Sequence, residues 1–176
     1  GASNIAIGYN ALKDNTTTNQ NVAVGNNALQ SNTATANVGI GADALTNNTS
    51  GTQNVAVGTF ALDANTTAHN NTAVGYNSLG ANTTGTENTA VGMQALQQNV
   101  TGQVNTAVGV QALRNNTGGA NTAVGRHALL SNTSGNDNTA VGKDSMQSNS
   151  TGSQNTAVGQ NALYSNTTSN DNTAVG

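Results

Sequence analysis

Apolar and small residues alternate over a three-residue span, and the span then recurs along the whole chain. Ile5-Ala6-Ile7, Val22-Ala23-Val24, Val55-Ala56-Val57 and Thr72-Ala73-Val74 each set a small residue between two β-branched ones, with a Gly directly after (Gly8, Gly25, Gly58, Gly75). Period-two alternation places the β-branched pair on one face of a strand and the small residue on the other. Four residues past each Gly stands Leu12, Leu29, Leu45, Leu62, Leu79, Leu96, Leu113, Leu129, Met146 or Leu163, always preceded by Ala or Ser. This reads as a second short strand, with its bulky column in the core and its small column facing elsewhere. A helix over the same residues fails on length. About six residues separate the Gly from the Asn-Thr-Thr-Gly turn, too few for a stable isolated helix, and Asn, Thr and Gly are poor helix interiors.

The closing Gly falls at 8, 25, 41, 58, 75, 92, 109, 125, 142, 159 and 176, a spacing of seventeen interrupted by two sixteens. A short fixed period is the mark of an architecture in which each unit stacks on its neighbours. The expected fold is therefore all-β, a parallel β-solenoid of 16–17-residue coils. It forms a single unit over 1–176 with about ten coils, each rising about 4.8 Å. Its core is expected to hold the β-branched and Leu columns, represented by Val24, Leu29, Val57, Leu62, Val74, Leu79, Val91, Leu96, Val108 and Leu113.

Two Asn columns never vary, one seven residues after the Gly and one four before it, as in Asn65, Asn71, Asn82, Asn88, Asn99 and Asn105. Asn tolerates left-handed turns, and its amide both donates and accepts, so in register it can bond the turn backbone and its own copy one coil away. Both sixteen-residue coils, with "NTATAN" (32–37) and "NTGGAN" (116–121), lose their residue between these columns. The strands keep phase through that loss, as a loop deletion allows.

Composition alone points toward low complexity, with 34% hydrophobic, 6% charged and 2% aromatic residues, but periodicity overrules it. The scarcity of charge follows from stacking: identical charges one above another at strand spacing repel. Acids are accordingly scattered (Asp43, Asp63, Glu87, Asp137, Asp144, Asp171), and the exception is basic, Arg126 above Lys143. A net charge of -3 with four unclustered basic residues leaves no footprint for a nucleic acid. No apolar run approaches the roughly 20 residues of a membrane span, so this segment is not expected to insert. Without cysteine there is no disulfide framework and no thiolate metal site.

No cofactor and no catalytic constellation is expected. His69 and His127 lie four coils apart in different columns, and His127 has only Asp144 stacked near it. The acids occupy no fixed turn position, unlike a calcium-binding β-roll. Asn65–Thr67 and Asn82–Thr84 match the glycosylation acceptor because the turn repeats. Thr16, Thr33, Thr49, Thr66 and Thr83 form a column whose spacing suits an ordered water layer, so an ice-binding solenoid is the alternative function; Val100 and Ser150 interrupt that column. The varied positions Tyr9, Phe60, Tyr76, Arg126 and Tyr164 are the candidates for recognition of a host-surface or glycan ligand.

The stretches "NIAIGYNAL", "NVAVGNNAL" and "NTAVGYNSL" resemble the head repeats of trimeric autotransporter adhesins. "NTAVGxxAL…NTTG" is also similar to repeats of bacterial surface proteins and phage tail fibres. The resemblance covers the entire chain and implies a left-handed parallel β-roll, three chains wound together, outside the cell, on a cell surface or in a virion fibre, and used for attachment. The chain departs from that pattern by its longer coil with the added Asn-Thr-Thr-Gly segment.

A thin core and two small-residue columns (Ala73 and Ser78, Ala90 and Ala95) predict at least a close multimer, which the resemblance makes a homotrimer. Termini without capping coils point to a segment of a longer fibre or an end-to-end stacking subunit, Ile5 and Ile7 of one copy meeting Thr173 and Val175 of another. The functional expectation is an extracellular structural or adhesive fibre segment without catalysis.

Overall fold

The computed structural model describes residues 3–176. Eleven three-residue strands run in chain order: β1 (Ile5–Ile7), β2 (Val22–Val24), β3 (Val38–Ile40), β4 (Val55–Val57), β5 (Thr72–Val74), β6 (Thr89–Val91), β7 (Thr106–Val108), β8 (Thr122–Val124), β9 (Thr139–Val141), β10 (Thr156–Val158) and β11 (Thr173–Val175). All pair in parallel with their sequence neighbours in one eleven-stranded sheet. Each Ala stands beside the next coil's Ala, as Ala73 beside Ala90 and Ala90 beside Ala107. The chain is a parallel β-solenoid. Its two short coils keep the register, with Val22 opposite Val38 and Thr106 opposite Thr122.

Inside and outside are exchanged on the strands relative to the sequence expectation. Ala23, Ala56, Ala73, Ala90 and Ala107 are fully buried, whereas Val24, Val57 and Val74 are half-buried and Val91 and Val108 are 36% and 37% exposed. The reason is space. At Gly39, which takes the Ala position in one coil, an added methyl would already meet the Leu29 Cγ at 3.0 Å and the Ala44 carbonyl at 3.2 Å. The coil is too narrow at the strand for anything larger than Ala, so the β-branched pair turns outward. The second small column is buried too (Ala28, Ala61, Ser78, Ala95, Ala112) and packs with the Leu column in one continuous core. The small columns are therefore filled by the chain itself and offer no backbone approach to another copy.

The Leu segment is not a strand. It is a run of turns in which Leu29, Leu45, Leu62, Leu79, Leu96, Leu113, Leu129 and Met146 are all fully buried, yet every residue of this column has φ between 48° and 53°. A bulky side chain in the left-handed region costs on the order of 1–2 kcal/mol. Two gains offset that strain. The residue two before Leu is also left-handed, so alternate N–H groups reach opposite neighbours. Asn77 N–H donates to the Thr59 carbonyl of the preceding coil (3.0 Å) and Leu79 N–H to the Ala95 carbonyl of the following one (3.0 Å). Full burial of each Leu contributes about 1.5–3 kcal/mol. The Gly that opens this segment has φ of 123–137° throughout, and a Cβ on Gly92 would lie 2.5 Å from the Gly109 carbonyl oxygen, which explains why nothing else occupies the column.

The rest of the interior is polar. Asn71, Asn88 and Asn105 form one ladder: each backbone N–H donates to the side-chain oxygen of the Asn one coil earlier, Asn88 to Asn71 at 3.0 Å and Asn105 to Asn88 at 2.9 Å. Asn65, Asn82 and Asn99 form the second, with Nδ2 donating to the preceding Oδ1 (Asn82 to Asn65, 3.2 Å; Asn99 to Asn82, 3.2 Å). Both ladders converge on one carbonyl per coil. Gly102 O accepts from Asn99 Nδ2 at 2.9 Å and from Asn88 Nδ2 at 2.8 Å, and Gly85 O accepts likewise from Asn82 and Asn71. All six asparagines are fully buried. In the short coil the arrangement survives with one residue fewer, because Asn116 and Asn105 still meet at Gly118 O.

Two substitution pairs test this interior. Leu96→Ile is expected to destabilise by roughly 2 kcal/mol or more, since a branched Cβ is worst in the left-handed region, while Leu96→Met stays below about 1.5 kcal/mol. Equal effects in thermal melts would mean that the segment is an ordinary strand. Asn88→Ala leaves the Asn105 N–H buried and unpaired and strips one donor from Gly102 O, at about 1–3 kcal/mol for each orphaned group. Exposed Gln98→Ala in the next column should stay within about 0.5 kcal/mol in the same denaturation series.

Candidate functional site

Turning the β-branched residues outward gives the solenoid one distinct face. One outward column runs Ile5, Val22, Val38 and Val55 and then becomes Thr from Thr72 to Thr173; the other is Ile or Val from Ile7 to Val175. Neither column contains a charged residue. Val91, Val108, Val124, Val141 and Val158 are exposed by near-identical amounts, 36–39%, as strict parallel register requires. Among the described residues, the Thr hydroxyls of this face, Thr89, Thr106 and Thr122 included, have no hydrogen-bond partner. In the turn column the hydroxyls are engaged instead. Thr33 Oγ1 donates to the Thr49 carbonyl at 2.6 Å, Thr49 to Thr66 at 3.0 Å, and Thr66 to Thr83 at 3.3 Å. Each of those hydroxyls thus gives its proton to the backbone of the next coil.

The candidate recognition residues separate into three places. Tyr9 stands in the first coil and is 77% exposed. Phe60 and Tyr76 occupy neighbouring coils and pack edge to face, with ring centroids 6.1 Å apart at 79°. Arg126 and Tyr164 come together in an open groove of about 710 Å³ that spans three coils. His127, Lys143, Asp144, Gln147 and Asn161 complete its lining, none of which the sequence singles out for recognition. Its signals were present in the stacking, since His127 lies over Asp144 and Arg126 over Lys143. Asp144 holds His127 Nδ1 at 3.2 Å and Lys143 Nζ at 3.3 Å, and the side chains of His127 and Asp144 are largely buried.

The Asn of each glycosylation-like triplet, Asn65 or Asn82, is fully buried with its amide committed to the ladder, so neither is an acceptor in the folded chain. Among the described residues no three His, Cys, Asp or Glu side chains gather where a metal ion could be held, and no helix is long and apolar enough to cross a membrane. No family model matches the chain, and no curated protein or solved structure matches it either.

One carboxyl is electrostatically uncomfortable. Burial pushes Asp63 above its ordinary value and the nearby Asp43 charge adds to this, while the backbone N–H groups of Ala64 and Asp63 oppose it. A carboxyl whose folded value is raised destabilises the fold once ionised. The penalty is complete above the folded value and absent below the unfolded value of about 3.9. Asp63→Asn is therefore expected to raise the melting temperature slightly at pH 7 and to leave it unchanged near pH 3, with the group's partial exposure keeping the gain small. A gain of the same size at both pH values would show that the carboxylate charge is not the cause.

Proposed function

We propose that this chain is a rigid, non-catalytic segment of an extracellular attachment fibre, in which three copies pack through their outward Thr/Val faces. The observation that carries the reading is the face itself: two uninterrupted, uncharged columns over eleven strands, set in a molecule whose other surfaces are rich in Asn, Thr, Gln and Gly. An aliphatic strip of this length is what an interface between copies uses, and parallel register lets it pair with itself at every coil. The resemblance of "NTAVGYNSL" to adhesin head repeats supports the same assembly and a place outside the cell. Attachment is then a property of the varied outer positions, and the repeat supplies reach and stiffness.

Light scattering after gel filtration tests the assembly. The expected mass is three times the 17.4 kDa chain, and the double substitution of Val108 and Val124 by Lys is expected to reduce it to one chain while keeping the β spectrum. Wild-type protein that runs as a single chain at tens of micromolar overturns the trimer.

A second reading is favoured by the free hydroxyls from Thr72 to Thr173 beside the Val column. A regular, uncharged Thr/Val surface left open to solvent orders water, and would make the chain an ice-binding solenoid through this face rather than the turn column. A monomer that halts ice recrystallisation supports it; trimeric protein without effect on ice removes it.

A further inference from the structure

The groove around Arg126 gathers charges of both signs from adjacent coils. Only four Lys or Arg residues occur in 176, and two of them, Arg126 and Lys143, stand in adjacent coils at the position after the closing Gly. Stacked like charges at strand spacing repel, so the pair is an arrangement that stacking alone disfavours. Asp144 relieves half of it. Its two oxygens hold Lys143 Nζ and His127 Nδ1, which fixes both cation and imidazole against the coil. Among the described residues no carboxylate lies within ion-pair reach of Arg126. Arg126 and Lys143 set against Asp144 therefore leave one formal positive charge unmatched, carried on a planar guanidinium whose fork of donors fits a carboxylate in two-point fashion.

The remaining lining is suited to hydroxyl groups. Gln147 and Asn161 bring side-chain amides that donate and accept, and Tyr164, 43% exposed as a residue, brings a phenol and an aromatic ring. No aliphatic side chain lines the groove, so it offers nothing to an acyl chain or an apolar peptide. One excess charge is too little for a polyphosphate backbone, whose binding rests on many released counterions. The volume of about 710 Å³ falls in the range of small-ligand sites.

We propose that this groove is a binding site for an acidic saccharide. Arg126 takes the carboxylate, and Gln147, Asn161 and the Tyr164 phenol take ring hydroxyls. The Tyr164 ring supplies an apolar surface for the sugar's C–H groups, and Asp144 is a positioning residue that holds Lys143 and His127 in place. The proposal rests on the attachment reading above, to which it adds the chemical class of the target.

The test is calorimetric titration of the full chain with a galacturonic acid trisaccharide, with the same trisaccharide methyl-esterified, and with inorganic phosphate. Saturable binding of the acid form, at least tenfold tighter than the ester or phosphate, is expected. Arg126→Gln should weaken it tenfold or more, about 1.4 kcal/mol, and Tyr164→Ala should weaken it as well. Lys13→Gln, far along the rod, should leave it unchanged. Equal binding of acid and ester, equal binding of phosphate, an unaffected Arg126→Gln variant, or no saturable binding overturns the site. Light scattering on the same samples keeps the two readings apart: a trimer that fails to bind removes the saccharide site alone, and a monomer that binds removes the trimer alone.

Discussion

Two buried amides closing on one turn carbonyl are the interaction from which the other dimensions of this coil follow. Asn99 of the same turn and Asn88, which ends the polar segment of the preceding coil, both donate to Gly102 O, so a single atom ties the start of each polar segment to the end of the one before it. Strands of three residues are well below the usual five or six and hold little by themselves. The ladders supply what the short strands lack: each coil is bonded to its neighbours through side chains as well as backbone, in an interior where an unmet donor is costly. Polar groups do in this core much of what bulky hydrophobic groups do in an ordinary one.

A coil drawn in this way is thin, and thinness explains the positions that look odd in isolation. One Leu fills the apolar half of the cross-section, so the facing strand has room only for Ala. To aim that Leu inward between two turns the backbone must go left-handed, and the Gly before it lets neighbouring coils approach within a distance that a Cβ would block. The β-branched residues have no interior place left. They form the outer face, so the same crowding that closes the core also creates an uncharged surface of Val and Thr.

The period, the parallel stack, the ladder columns and the place of the one-residue deletions were legible in the residues, because each depends on spacing alone. The side on which Val lies was not, since alternation says that Val and Ala face opposite ways but not which way is in; that depends on the width of the coil, known only once Leu29 is seen against Gly39. The Leu segment carried an unread signal. Its column holds Leu and, at 146, Met, but never Val or Ile, although a strand would favour the branched residues used freely five positions earlier. Exclusion of β-branched residues is what a left-handed backbone demands. At the groove, Arg126 and Tyr164 stood out as a charged and an aromatic residue at positions that vary from coil to coil. Asp144, Gln147 and Asn161 blend into a polar repeat, and only proximity across three coils marks them out.

The ladder is also directional. In every rung the later coil donates and the earlier coil accepts: Asn88 N–H to Asn71, Asn105 N–H to Asn88, Asn121 N–H to Asn105. A finished coil thus presents open side-chain oxygens toward the residues that follow it in the chain, and these are the first acceptors that a newly made segment meets. Synthesis proceeds in that same direction, with N-terminal parts folding first. The direction of the ladder and the direction of synthesis thus coincide: the coil made last always offers the acceptors that the next Asn backbone N–H takes up.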